Sequence, residues 1–303
     1  MSSIHQVNHP GKELKIFYRS RNRNDLNYYF LQDSSTKGIR LWNRCSINGK
    51  SNSHKRKFIE INGKFVYDLN NPIETSGLVR FWGEYEGYSG FELVNNKKTN
   101  QPYWDVPCAI HRPFFCDRNI NDQNTDPFVF GKEFYYAICK KNDLKNLSVG
   151  DIILFGFEFG NKGNVQFYLD TLFIVKATLP SILNNTFDMI YQESTLKRIG
   201  ILKYKNGTMP IHTGVKFTDN QKCFSFFPCK PVDKQNSTFG RPIINTEDLR
   251  LQKPGARTGS KSRALRPNES IQLIWSKIVN EVLSQGFCLG THADNISIHN
   301  SLP

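Results

Sequence analysis

Apolar and polar residues alternate between Val79 and Glu86, a pattern typical of a β-strand with two unlike faces. One face holds Val79, Phe81 and Tyr85 and suits a hydrophobic core. The other face suits a ligand, because it joins charged side chains to a large aromatic ring. Its residues are Arg80, Trp82, Glu84 and Glu86.

Apolar patterning predicts further strands at 134–139, 151–159, 165–177 and 223–227. A turn at Ser148-Val149-Gly150-Asp151 is expected to precede the second of these. Residues 58–69 contain Asn62-Gly63 between two apolar runs, which predicts a β-hairpin because a two-residue turn needs positive φ at both positions.

Apolar residues at helical spacing predict a helix that begins near an N-cap at Asn268 and ends at Gly286. The apolar positions are Ile271, Ile274, Trp275, Ile278 and Val282. A second helix is predicted around 187–198. Because strands follow one another more often than they alternate with helices, the expected fold class is α+β, mostly β, a mixed barrel with helical decorations.

The 303 residues contain no evident domain boundary, so one elaborated domain is expected. Within it, residues 1–74 are interpreted as an N-terminal extension that contains the hairpin and packs on a main domain of residues 75–303. The 35 Phe and Tyr side chains can supply the core, since large flat rings pack well on pleated sheets.

Forty Lys and Arg against 27 Asp and Glu give a formal net charge of +13, which favours a polyanionic partner. Positive charge is dense in 12–23 and 40–57. The segment 253–266 carries five cations and no acid, and it is interpreted as a flexible basic loop that contacts a nucleic-acid backbone. These cations are Lys253, Arg257, Lys261, Arg263 and Arg266. The alternative is a solvated surface whose charge is incidental.

Seven scattered cysteines form no even framework, and nothing at the N-terminus is typical of a signal peptide. A reducing cytoplasm is therefore expected. Apolar runs are only a few residues long, far short of the ~20 that span a bilayer, so no membrane association is expected.

The charged and aromatic residues between Gly77 and Tyr136 have the chemistry that a nucleic-acid base requires. Trp82 can stack on a base, and Arg80 or Arg112 can meet its phosphate. Arg241, in Phe239-Gly-Arg-Pro, can face the same cleft or pair with an acid. Acceptors for exocyclic amines are available in Glu84, Glu86 and Asp126. The alternative is that Trp82 belongs to the core and the charges form an ordinary solvated sheet face.

Four residues are candidate catalytic groups: Glu84, Glu86, His111 and Asp126. His111, beside Arg112, can donate a proton or contact phosphate, although a histidine between apolar stretches is more often structural. Asp126 can bind a ligand or simply bond the backbone of a turn. Glu84 and Glu86 can hold Mg²⁺ or form salt bridges.

No cofactor is expected, except Mg²⁺ if the protein is a nuclease. Zinc is not expected, because the cysteines and histidine available have no paired C-x2-C spacing. Those residues are Cys108, His111, Cys116 and Cys139. The stretch from Gly255 to Ser262 lacks the second glycine and the upstream strand of a phosphate-binding loop.

Two segments resemble the strand–turn–strand of PUA-like barrels, the group that contains the ASCH and EVE domains. These are Leu147-Ser-Val-Gly150-Asp151-Ile-Ile-Leu-Phe and Phe167-Tyr-Leu-Asp-Thr-Leu-Phe-Ile-Val175. With Trp82-Gly83-Glu84 and the block Asn124-Thr-Asp-Pro-Phe128-Val-Phe-Gly131, residues 75–290 are similar to nucleotide-modification-associated domains of bacteria and phages.

This resemblance implies recognition of nucleic acid or of a modified nucleotide, with Phe128 among the ligand contacts, and a role in DNA modification or phage defence. Some ASCH relatives are hydrolases or nucleases. The sequence therefore leaves two functions open. The first is a nucleic-acid or modified-nucleotide binding protein, and the second is a hydrolase or nuclease acting on the same substrates.

Overall fold

The structure, a computed structural model, describes the ranges 2–8, 56–85, 88–94, 107, 109–116, 125, 127–131, 133–137, 144, 146–161, 164–180, 188–196, 210–219, 221–232, 239–251 and 260–299. Within these ranges the strands are β1 Ser3–Asn8, β2 Arg56–Val66, β3 Thr75–Glu84, β4 Tyr88–Leu93, β5 Ala109–Cys116, β6 Tyr135–Ala137, β7 Ile152–Asn161, β8 Asn164–Pro180, β9 Pro210–Gly214, β10 Phe227–Pro231, β11 Ile243–Ile244, β12 Ser260–Ala264, β13 Cys288–Ala293 and β14 Ser297–His299.

Helical structure in the described part of the chain is sparse. The short helix α1, Met189–Tyr191, runs into a π-helical turn at Gln192–Leu196, and a 3-10 turn lies at Phe217–Asp219. The long helix is α2, Ile271–Ser284. Neither α-helix of the described ranges is long and apolar enough to cross a bilayer.

Four strands close into a small antiparallel barrel. β2 pairs with β3, β3 with β10, β10 with β13, and β13 pairs back with β2. Parallel to β2, β5 extends this sheet and carries β4 and β14. One core cluster includes apolar side chains from three of the ring strands: Ile59, Val79, Phe81, Phe227 and Cys229.

The second sheet has the order β12-β1-β7-β8-β9-β6, with β11 beside β8. α2 buries one face in a core cluster with residues of this sheet, and the indole of Trp275 donates to the carbonyl of Phe224 at 2.9 Å. The buried helix positions are Ile274, Trp275, Ile278, Val279 and Val282. The mostly-β α+β class and the presence of a barrel are thereby confirmed.

The predicted hairpin at Asn62-Gly63 is wrong, because both residues lie inside the continuous strand β2. Their partners on β3 are Leu78 and Gly77. Gly63 is required for a different reason: a Cβ there would lie 2.4 Å from the carbonyl oxygen of His292 on β13. The glycine permits the close approach of two backbones that closes the barrel.

The turn before β7 is confirmed. Gly150 has φ +88, and the carboxylate of Asp151 accepts hydrogen bonds from the N–H groups of Ser148 at 2.7 Å and Ser3 at 2.6 Å. The long helix is confirmed too, with Gly286 at φ +75 just beyond its end. Its N-cap is Ser270 rather than Asn268, because the Ser270 hydroxyl accepts from the N–H of Leu273.

Two other expectations are corrected in part. The predicted strand 223–227 begins later, at Phe227, after an isolated bridge between Phe226 and Leu172. The predicted basic loop 253–266 contains β12, which pairs with β1. The strands on either side of residue 74, β2 and β3, pair along ten positions.

Candidate functional site

Arg80 and Arg112, expected to contact phosphate, lie on one sheet face and share a carboxylate. Arg80 Nε donates to Glu60 Oε2 at 2.8 Å, and Arg112 Nε donates to Glu60 Oε1 at 2.8 Å. Glu60 is directly opposite Arg80 on the neighbouring strand, and Lys230 is opposite Arg80 on its other side. Three cations and one acid therefore form a row across β10, β3, β2 and β5, which we call the cationic row.

Of Glu60, Arg80 and Arg112, the residue on β5 is the most exposed. The side chain of Glu60 is 5% exposed, that of Arg80 19% and that of Arg112 53%. Arg112 also reaches Glu92 at 3.2 Å, but the Glu92 side chain is 63% exposed. Exposed ion pairs contribute little, so Arg112 is the member of the row that can most easily exchange its partner for an external anion.

Trp82 lies on the same face of β3 but is only 3% exposed. Its ring packs against Phe58 and Phe239, with centroids 5.3 Å apart for Phe58 and Trp82. Its indole N–H donates to the carbonyl of Phe239 at 2.6 Å. The chain's own residues thus cover the ring that was expected to stack on a base.

Arg241 occupies the face of Trp82. Its guanidinium carbon lies 3.8 Å from the centroid of Trp82 and 4.7 Å from that of Phe157. Arg241 Nε donates to Asp170 Oδ1 at 2.7 Å. Of the two readings of Arg241, cleft residue or partner of an acid, the geometry matches the second.

Glu84 belongs to the same buried ion network. Arg56 donates from Nε to Asp170 Oδ2 at 2.6 Å and from Nη1 to Glu84 Oε2 at 2.5 Å. Burial alone would lower the pKa of Arg56, but Glu84 and Asp170 outweigh it and raise that pKa. Glu84 is 4% exposed, so it serves to hold a buried cation within this network.

His111 forms a second buried polar group with Ser89 and Lys57. Ser89 Oγ lies 2.8 Å from His111 Nδ1 and accepts from Lys57 Nζ at 3.2 Å. Burial and the positive charge of Lys57 hold the pKa of His111 well below its ordinary value. The neutral imidazole can therefore accept a hydrogen bond from the Ser89 hydroxyl when its proton is on Nε2. We call these three residues the buried triad.

Phe128 is fully buried and packs against Phe130, Tyr135 and Tyr191, so its ring belongs to the barrel core. Four expected site residues lie outside the described residues: Glu86, Asp126, Lys253 and Arg257. Beside Asp126, Thr125 donates from its hydroxyl to the carbonyl of Glu84 at 2.6 Å. This hydrogen bond joins two distant parts of the block from Gly77 to Tyr136.

The cations of β12 are paired within the protein. Lys261 Nζ contacts Glu158 Oε1, and Arg263 Nη1 contacts Glu269 Oε2 at 2.6 Å. Their side chains are 20% and 10% exposed. Neither is presented as a free phosphate ligand.

Among the described residues, no group of three or more His, Cys, Asp or Glu side chains could hold a metal ion. A cavity of about 340 Å³ lies between the Val149-Gly150 turn, β8 and the start of α2. Its lining includes Lys176, Lys222 and Cys223. None of the candidate site residues predicted from the sequence lines this cavity.

Sequence reasoning missed five residues that organise the site: Arg56, Lys57, Glu60, Ser89 and Asp170. One signal was available, because Asp170 interrupts an apolar run and a buried acid needs a partner. The others carried no distinguishing pattern.

This geometry defines a mostly-β α+β protein that contains a closed four-stranded barrel. The cationic row lies on the outer face of the barrel, and the ion network of Arg56, Glu84 and Asp170 is buried on the same face, against the second sheet. Family models, curated proteins and solved structures were compared with this chain, and none matches it.

Proposed function

We propose that the protein binds nucleic acid in the cytoplasm, with the cationic row contacting the phosphate backbone. The observation that carries this proposal is the alignment of Lys230, Arg80 and Arg112 in one row with Glu60. Four neighbouring strands span about 14 Å at ~4.8 Å per gap. That length matches about four nucleotides at ~3.4 Å per charge on one strand.

Charge distribution supports further phosphate contacts beyond this row. The described residues hold 15 Lys and Arg against 17 Asp and Glu. The positive excess of the chain is therefore carried by other segments. Residues 9–55 have ten Lys and Arg against three acids, and residues 197–209 have four against none. A nearly neutral scaffold with strongly cationic segments fits backbone binding, in which affinity comes from charge rather than from base readout.

The finer proposal, drawn from the resemblance to PUA-like and nucleotide-modification-associated domains, is that a modified base is recognised. The ring of Trp82 is not available to stack on such a base, because Arg241 covers the face of the ring. Recognition would then depend on residues nearer to Arg112. Comparing methylated with unmodified oligonucleotides of one sequence tests this part separately.

The experiment for the main proposal is fluorescence anisotropy with short single- and double-stranded DNA and RNA across a salt series. Arg112→Gln is expected to weaken binding to every sequence alike and to reduce the slope of log K against log salt by about 1. Lys277→Gln is the matched control, since Lys277 is an exposed lysine of α2 paired with Asp248. Absence of binding at low salt, or equal loss in both variants, would refute the proposal.

The alternative proposal is a hydrolase or nuclease, and the buried triad is the observation that favours it. Ser89 receives a hydrogen bond from Lys57, and its hydroxyl oxygen lies 2.8 Å from Nδ1 of a neutral His111. In the tautomer with the proton on Nε2, His111 Nδ1 accepts from this hydroxyl, as a general base would. Hydrolysis of nucleic acid would be assayed with and without Mg²⁺. Turnover that His111→Gln abolishes and Arg112→Gln retains would support this alternative, and no turnover under either condition would exclude it.

A further inference from the structure

Cys229 and Cys288 are directly opposite each other on the antiparallel strands β10 and β13. This seam closes the barrel with three residue pairs: Phe227 with Gly290, Pro228 with Leu289, and Cys229 with Cys288. Directly opposite residues share a face of the sheet. Both cysteines belong to or pack against the barrel core, so their thiols face the same interior.

Pro228 defines the type of pair that the cysteines form. Because Pro228 has no N–H, it cannot exchange two hydrogen bonds with Leu289. In an antiparallel ladder the bonded and non-bonded pairs alternate, so Cys229 and Cys288 occupy a hydrogen-bonded pair. Its Cα atoms are about 5.5 Å apart, inside the range of about 4.4–6.8 Å that a disulfide bridges.

The Cβ separation is less favourable. Opposite residues have Cβ atoms about 4.5–5.5 Å apart, whereas a disulfide needs about 3.5–4.5 Å. Because a hydrogen-bonded pair lies at the wider end of that range, the seam must tighten by about 1–2 Å. A bond formed with such strain is easily reduced, and this property distinguishes labile disulfides from permanent structural ones.

The two thiols differ in access. Cys229 is fully buried, and Cys288 is partly exposed. Burial raises the pKa of both thiols, although Lys230 opposes this effect at Cys288. Cys288 is consequently the thiol that an oxidant reaches first, and its reaction is faster at alkaline pH.

We propose that Cys229 and Cys288 form a reversible disulfide when the folded protein meets a low-molecular-weight disulfide such as oxidised glutathione. The Cys288 thiolate attacks one sulfur of glutathione disulfide, forms a mixed disulfide and releases one glutathione thiolate. The Cys229 thiol then loses its proton and attacks the Cys288 sulfur, releasing the second glutathione. Two protein thiols are oxidised, and one glutathione disulfide is reduced. This inference is independent of the proposed function.

The test is oxidation of the native protein by oxidised glutathione at pH 8.5, followed by alkylation, digestion and mass spectrometry without reductant. We expect a linked peptide pair, Cys229 with Cys288, that dithiothreitol removes. A disulfide that closes the loop from Cys229 to Cys288 should raise Tm by about 3 °C or more. Cys223→Ser is the matched control, because Cys223 is also partly buried, and it should leave the linked pair intact.

Cys288→Ser should abolish the linked peptide, and its circular dichroism spectrum will show whether the variant is folded. A parallel oxidation in urea gives the linkages of an unfolded chain, in which all seven cysteines compete. Complete consumption of oxidant by the native protein without a Cys229–Cys288 peptide would overturn the proposal. So would a native peptide pattern that equals the pattern in urea.

Discussion

The guanidinium of Arg241 lies over the indole of Trp82, with the guanidinium carbon 3.8 Å from the ring centroid. Asp170 on β8 holds that guanidinium by its Nε, while Trp82 belongs to β3. The contact therefore joins the barrel to the second sheet. Trp82 therefore stacks on Arg241 rather than on a base, and this cation–π contact holds the barrel against the second sheet.

We expect Trp82→Ala to lower the free energy of unfolding by about 3–5 kcal/mol, because it removes a fully packed ring from beneath Arg241. Trp82→Phe should cost less, since an aromatic face remains and only the hydrogen bond to Phe239 is lost. Urea denaturation followed by circular dichroism measures both. If Trp82→Ala unfolds like the wild type yet loses nucleic-acid binding, Trp82 contacts the ligand. The stabilising role of its contact with Arg241 would then be wrong.

Asp170→Ala should destabilise the protein by about 3–5 kcal/mol, because it leaves the guanidinium groups of Arg56 and Arg241 buried without their shared carboxylate. The comparison is Asp248→Ala, which breaks an exposed pair with Lys277 and should change stability by no more than about 1 kcal/mol. Equilibrium unfolding in urea gives both values. Similar losses of stability in the two variants would contradict the stabilising role of Asp170 between Arg56 and Arg241.

Gly63→Ala should destabilise the barrel by at least about 1–3 kcal/mol, since its Cβ would lie 2.4 Å from the carbonyl oxygen of His292. Gly77 provides a matched control, because it is the direct partner of Gly63 across β2 and β3. A Cβ on Gly77 would meet only the Phe65 ring, at 3.6 Å, so Gly77→Ala should be nearly neutral. Thermal melts of the two variants test the difference. Equal melting temperatures would show that the β2–β13 approach is looser than described.

Acidification should weaken the fold through His212. Burial lowers the pKa of His212 to about 4, against about 6.5 when unfolded, so the unfolded chain binds the proton more strongly. Stability therefore falls as the pH drops from about 6.5 toward 4, by about 2 kcal/mol between pH 7 and pH 5. The buried His111, whose pKa is also lowered, acts in the same direction.

Urea unfolding at pH 7 and pH 5 measures this effect, and His212→Gln should shrink the difference by about 2 kcal/mol. Thr178→Val removes the hydroxyl 2.9 Å from His212 Nδ1 but leaves the ring buried, so it should retain the pH dependence. A His212→Gln variant with unchanged pH dependence would exclude this origin.

The sequence by itself determined the elements whose signal is local. Alternation placed Val79 and Phe81 inside and Arg80 outside, and the turn at Gly150 and the end of α2 at Gly286 follow from backbone preference. Such features depend on neighbours a few residues away. The same local reasoning failed at Asn62-Gly63, because Gly63 is needed for contact with β13, more than 200 residues further along.

Only the tertiary structure decided which charged and aromatic residues are exposed. Arg56 and Arg241 converge on Asp170 from positions 114 and 71 residues away, and no sequence period encodes that meeting. Trp82 and Arg112 looked equivalent as candidate ligands, yet one is buried under Arg241 and the other is half exposed beside Glu60. The physical reason is that burial and ion pairing depend on strands packed side by side, whereas alternation reports only which side of one strand a residue is on.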